Sequence, residues 1–334
     1  DKKMMMRLIP IVLLIASVCA AEDFTVETID KTLQASGRTK ITSKNMDGHT
    51  IFKAGPDGEI RIHAVKEVRY VKNKEDAEKE AARVPIRIQQ VGPNVEIMAE
   101  YPTNWGIHIG RKPQVLVYFE ITAPAGSDID ARLSDGKMDV EGFDGKLFLK
   151  VSDGDLNARN LKGYVRMSAA DGDIEAVQCS GTVEVSVADG SINADSFSGD
   201  IRLRSADGRI TLNNSNGIVE AKSSDGRVTL QGSFQSVNAR TSDGKLEVHA
   251  NAGSTVVNPW NLKTSDGSLM LQLPDSIQAD FDIRTGDGSI VTDLPISIVG
   301  SVSRNHLSGK INGGGSLVML QTSDGDITIS RTAQ

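Results

Sequence analysis

Aromatic side chains make up only 4% of this chain, and its 334 residues include just two cysteines. The first scarcity rules out a core of large rings and leaves burial to Val, Ile, Leu and Ala. The second rules out a disulfide framework. Only five histidines occur (His49, His63, His108, His249 and His306), scattered and without metal-ligand spacing. Cations do not dominate either: the net charge is −7, which disfavours a nucleic-acid partner. No nucleophile elbow and no phosphate-binding loop is present.

The N-terminus carries an export signature. Lys2, Lys3 and Arg7 precede an apolar stretch from Leu8 to Val18 that is too short to span a bilayer comfortably. Val18-Cys19-Ala20 fits a small-x-small cleavage site, so residues 1–20 read as a secretory signal peptide. An exported protein is expected, in the periplasm, at the cell surface or outside the cell, with no transmembrane segment after cleavage. Lipid anchoring at Cys19 is disfavoured, because Val18 stands where a small residue is normal. Cys179 then has no partner, and it falls at an inward repeat position, as a buried small hydrophobe would.

A repeat is what the chain has instead. The Asp of an Asp-Gly pair recurs at 135, 153, 171, 189, 207, 225 and 243, each 18 residues on. A second glycine row falls at 145, 163, 181, 199 and 217, offset by nine. The rhythm loosens at Asp266, Asp287 and Asp324. Within one unit, Leu147, Leu149 and Val151 alternate with polar or outward residues, as do Leu156 and Ala158 after the turn. Val165, Met167, Ile174 and Ala176 repeat the columns, and Val183, Val185, Ile192 and Ala194 follow.

One such unit cannot bury its apolar face alone, but stacked units can. The expected fold is all-β: a parallel β-solenoid of 18-residue coils, right-handed by the crossover rule, with strands about 4.8 Å apart. An antiparallel meander is the competitor, since Asp-Gly is a good hairpin turn. Two alternating turn rows and columns that recur at every second strand favour coils.

For the Asp-Gly corner, glycine is expected to supply positive φ, and Asp to accept backbone N–H groups as an Asx turn. A functional reading is metal: Asp153, Asp171, Asp189, Asp207 and Asp225 are calcium candidates. One Asp per coil is thin for a cation wanting six to eight oxygens, and the paired glycines of calcium β-rolls are lacking. No cofactor is therefore expected, with calcium as the alternative.

Outward columns are where function would be written. Lys150, Arg204, Lys222, Arg240, Lys263 and Arg284 fall at equivalent outward sites, with Arg132 before them and Ser168 and Ser186 interrupting the row. They are the ligand-facing candidates, for an acidic glycan or lipid headgroup. Solvation and cross-strand pairing with neighbouring Glu are the favoured explanation of the row, with ligand contact as the alternative. An aromatic platform for sugars is not seen in the repeats. Trp105 and Trp260 look isolated, in loops beside Gly or Pro.

Residues 21–126 lack the strict rhythm and are expected to form a β-rich N-terminal cap, with residues 127–330 as the solenoid. Asn73 can cap a short helix in which Ala77, Ala81 and Val84 share a face. The Asn312-Gly313-Gly314-Gly315 run reads as a flexible turn.

The SDG-containing strands that follow YFEITAPAGSDIDARLSDGKMDVEGFDGKL (118–147) resemble the bacterial candidate-adhesin family of β-strand-repeat exported proteins. The resemblance spans most of 50–330. It implies a parallel β-helix-like fold in an envelope protein, and the family offers no catalytic residues to carry over. The expected function is non-enzymatic adhesion or envelope organisation. The alternative is a polysaccharide-binding or polysaccharide-active β-helix protein. Expected partners are an envelope glycan or another envelope protein.

Overall fold

The computed structural model describes residues 22–35, 37–102, 112–298 and 303–332. Residues 1–20, expected to be a signal peptide and including Cys19, and also Trp105 and His108, lie outside the described residues. Among the described residues the protein is all-β with one helix, and its 25 strands join through largely parallel pairings.

The repeats pair in parallel and in register. Strand Lys162–Asp171 lies beside Ser180–Asp189, matching Val165 with Val183, Met167 with Val185 and Asp171 with Asp189. The shorter strands Ile174–Val177 and Ile192–Asp195 pair in the same way. A residue and its partner are thus one repeat apart, which excludes the meander. Each successive turn of chain is one rung of a stack. Side-chain period fixes what faces in: Val165, Met167, Ile174 and Ala176 are fully buried, and their neighbours face outward. Each Val, Leu or Ile column position gains about 1.5–3 kcal/mol from that burial. Cys179 is one of the inward residues, and burial pushes its thiol up to about 12.

At both ends the spatial order departs from the chain order. Strand Lys40–Gly55 is itself a rung: it lies parallel to Asp128–Glu141, with Asp47 beside Asp135 and Gly48 beside Gly136. The stack therefore begins before the boundary expected at 126. The intervening chain forms the layer on its other side, where Asn94–Ala99 and Gln114–Pro124 pair with Lys40–Gly55. From there the pairing turns antiparallel, through Glu59–Val71 to Glu22–Gln34, and from Asn94–Ala99 to Ile86–Val91. Covering strands of this kind keep a solenoid end from templating another chain.

The far end is also interleaved. Val318 pairs with Trp260 on one side and Phe281 on the other, and Ile327 sits between Leu269 and Ile290. The rung nearest the C-terminus has slipped between two earlier ones. Ala279–Arg284 then takes an antiparallel partner, His306–Ile311. Trp260 is not in a loop: it opens strand Trp260–Lys263, is fully buried, and packs edge-on to Phe234 with ring centroids 6.5 Å apart. The Asn312 turn is pinned, because its amide donates to the carbonyls of Asp275 and Ile277 at 2.8 Å each.

The helix, Lys74–Ala82, is capped by Asn73, whose side chain accepts the Asp76 N–H at 2.9 Å. Ala77, Ala81 and Val84 are buried beneath it. Lys66 anchors the helix to the cap: its buried ammonium donates to Glu27 at 2.6 Å and to the Ala81 carbonyl at 3.1 Å.

Candidate functional site

Two long rows of charge run across the rungs. The first is the Asp-Gly corner. Asp153, Asp171, Asp189, Asp207 and Asp225 all stand exposed along it. Their carboxylates make no hydrogen bond or ion pair among the described residues, so the Asx turn expected from sequence is not how the corner is held. In the early rungs the main chain holds it: the Gly154 N–H donates to the Asp171 carbonyl at 2.7 Å, and Gly172 to Asp189 at 3.0 Å. In later rungs a hydroxyl two positions before the Asp takes over. Ser205 accepts the Gly208 N–H at 2.9 Å, and Ser223 accepts that of Gly226 at 3.0 Å.

The glycine requirement changes with it. Gly154 has φ +127°, as expected. Gly208 lies outside the left-handed range, yet a Cβ there would overlap the Gly190 carbonyl oxygen. Close approach of rungs, not φ, demands that glycine. The carboxylates that do bond lie just after the corner: Asp155 accepts the Asp173 N–H at 3.1 Å, and Asp173 that of Ser191 at 2.7 Å. Among the described residues no group of three His, Cys, Asp or Glu side chains could hold a metal ion.

The second row is the basic one. The register aligns Lys150, Ser168, Ser186, Arg204, Lys222, Arg240 and Lys263 across successive rungs, then Gln321, then Arg284. Gln321 separates Lys263 from Arg284 because of the interleaved rung. The cations differ in their surroundings. Arg204 and Lys222 share Glu220, whose carboxyl is held below its ordinary range, chiefly by the Lys222 hydrogen bond. Arg284 is bound by Asp282 at 3.0 Å. Lys150, Arg240 and Lys263 have no ion pair among the described residues.

Near one end of this row lies a hollow of about 400 Å³, lined by Asp130, Arg132, Phe148, Lys150, Arg166 and Ser168. No aromatic platform is visible along the sequence of a single repeat, but stacking makes one. Phe148 and Tyr164, on neighbouring rungs, meet with ring centroids 5.7 Å apart. The Arg166 guanidinium lies 6.0 Å from the first ring centroid and 5.6 Å from the second. Arg166 is itself fixed by the Tyr164 hydroxyl at 2.6 Å and by Glu184 at 2.7 Å. The signal was present: in Leu147-Phe148-Leu149 an apolar ring occupies an outward position.

The sequence pattern of the Toastrack DUF4097 family matches residues 39–233 and again 220–330. The chain belongs to that family. The first match begins with the rung at Lys40, upstream of the insertion that builds the cap. No curated protein matches the chain. Two solved structures are similar at low identity. A candidate cell adhesion protein from Clostridium sporogenes is 10% identical, with 91% of this chain and 100% of that one covered and a TM-score of 0.25. A candidate adhesin from Bacteroides fragilis is 12% identical, with 91% and 97% covered and a TM-score of 0.30. Among the described residues of this Toastrack chain, no helix is long and apolar enough to cross a membrane.

Proposed function

We propose that this chain is a non-enzymatic, exported β-solenoid of the cell envelope, with right-handed coils of 18 residues, that serves adhesion or envelope organisation. Its outer strand face holds an envelope glycan or another envelope protein. The observation that carries this is the row of uncompensated cations: Lys150, Arg240 and Lys263 face solvent without a carboxylate partner among the described residues, on a chain of net charge −7. Cations left free on an acidic protein concentrate an anionic partner at that face. Export rests on the leader at residues 1–20, and adhesion on the family resemblance of 118–147. Binding without turnover fits a face that gathers charge but no nucleophile with an adjacent base.

The test is retention on insoluble envelope polysaccharides, with released sugar assayed in the same tubes, with and without calcium. Retention without product, weakened by Arg240→Glu with Lys263→Glu, is the expected result. Released sugar overturns the non-enzymatic reading in favour of a polysaccharide-active protein. No retention on any polymer overturns glycan recognition and leaves a protein partner. Calcium-dependent retention assigns the exposed Asp row a ligand role, and calcium-independent retention removes it from binding.

A further inference from the structure

We propose that the hollow beside Phe148 is a binding site for an acidic sugar residue, such as a uronate, within a polysaccharide chain. This rests on the reading of the outer face as a glycan-holding surface and adds a site and a ligand class to it.

The hollow exists because of register. Asp130 and Arg132 lie on one rung, Phe148 and Lys150 on the next, and Arg166 and Ser168 on the third. Long cations occupy the row on one side, but the next two positions are Ser168 and Ser186. Ser168, a short side chain in the column that carries Arg132 and Lys150 on the two preceding rungs, leaves a depression that Phe148 and Lys150 also line.

Each feature matches one part of an acidic sugar. Phe148 is 39% exposed, and its ring offers an apolar surface to the C–H face of a pyranose. Tyr164 and Arg166 brace the ring, so little ordering remains to be done on binding. Lys150, which has no ion pair among the described residues, supplies a cation for the sugar carboxylate. Asp130 bonds one oxygen to Arg132 at 3.3 Å and keeps its other lone pairs for sugar hydroxyls, as does the Ser168 hydroxyl. One exposed ring set among charged and hydroxyl side chains, in a hollow of about 400 Å³, offers a sugar an apolar face and several polar partners.

Single-stranded nucleic acid also combines stacking with cations. It fits less well, because Asp130 and Glu184 flank the cations and would face a continuous line of phosphates. A polysaccharide presents hydroxyl donors that those carboxylates can accept.

The experiment is calorimetric titration of the purified chain with three probes: a galacturonate tetramer, a neutral galactose tetramer and an oligothymidylate of similar length. The galacturonate tetramer is expected to bind, and the neutral tetramer to bind at least tenfold more weakly. Phe148→Ala and Lys150→Gln should each reduce galacturonate binding about tenfold, a loss of ~1.4 kcal/mol. Lys79→Gln, on the exposed face of the capping helix, should leave it unchanged, and melting curves confirm that all variants fold. Equal binding by the variants, equal binding of the neutral tetramer, or tighter binding of the oligothymidylate overturns the site. A chain retained on envelope polymer that fails to bind the galacturonate tetramer loses this site alone. A chain retained on no polymer loses the wider reading as well.

Discussion

A Cβ built on Gly208 would overlap the carbonyl oxygen of Gly190 on the neighbouring rung. The obstacle is backbone, held in place by parallel pairing, so it cannot move aside as a flexible side chain would. Gly208→Ala is therefore expected to destabilise by about 1–3 kcal/mol or more through overpacking. Gly126→Ala, with nothing within 4 Å of the added carbon and no positive φ, should stay within about 0.5 kcal/mol of the parent. Urea midpoints of the two variants check this, and equal midpoints would refute the close-packed corner.

Thr241 shows the later form of the corner. Its hydroxyl accepts the Gly244 N–H at 3.3 Å and donates to the Gly226 carbonyl at 3.0 Å, one rung away. Thr241→Val keeps the shape and removes both bonds in a buried position. The expected loss is about 1–3 kcal/mol, because partners are left unsatisfied. Thr211→Val, on an outward column, is the control and should be near neutral. Thermal melts of the pair decide.

Acid should loosen the strand face before neutral pH does. Glu184 is held below its ordinary range by its hydrogen bond to Arg166, and Glu220 by its bond to Lys222. Because the folded values lie below the unfolded value of about 4.3, the unfolded chain binds more protons in that window. The stability these groups contribute is full above it and is lost as pH falls through the folded values. Both pairs are on the surface, so each is worth about 1 kcal/mol or less. Melting temperature against pH should fall more gently in acid for Glu184→Gln than for the parent, with the curves parallel above pH of about 6.

Asp47 should behave in the opposite sense. Burial pushes its carboxyl up, against the Gln114 amide that donates to it at 2.6 Å. A raised folded value means stability declines as pH rises through it from the unfolded value. Asp47→Asn keeps an acceptor for Gln114 and removes the half-buried charge. The variant should be more stable than the parent at pH 7, and the gain should shrink in acid. A gain that persists unchanged at pH 3 would assign the effect to packing instead.

Much of the fold was legible because its rule is local and repeated. Val165 and Val183 share a column in the sequence and lie side by side in the structure. The helix was legible because Asn73 and Asp76 are a local cap. The hollow was harder to find: Phe148 and Tyr164 are 16 residues apart, and only the next rung brings the rings together. The basic row reads in the sequence as a uniform set of outward positions, whereas Glu220 and Asp282 neutralise some of its members and not others.

By itself the sequence determined the repeat, the inward columns and the corner, because period-2 alternation and an 18-residue recurrence leave parallel stacking as the way to bury every column. Only the tertiary structure decided the order of the rungs. Lys40–Gly55 joins the stack ahead of an insertion, and Leu317–Gln321 slips between two earlier strands. Rungs of one repeat present nearly the same edge and the same apolar face, so local pattern cannot say which neighbour each will take. That choice is made by long-range packing against Trp260, Phe281 and the capping strands.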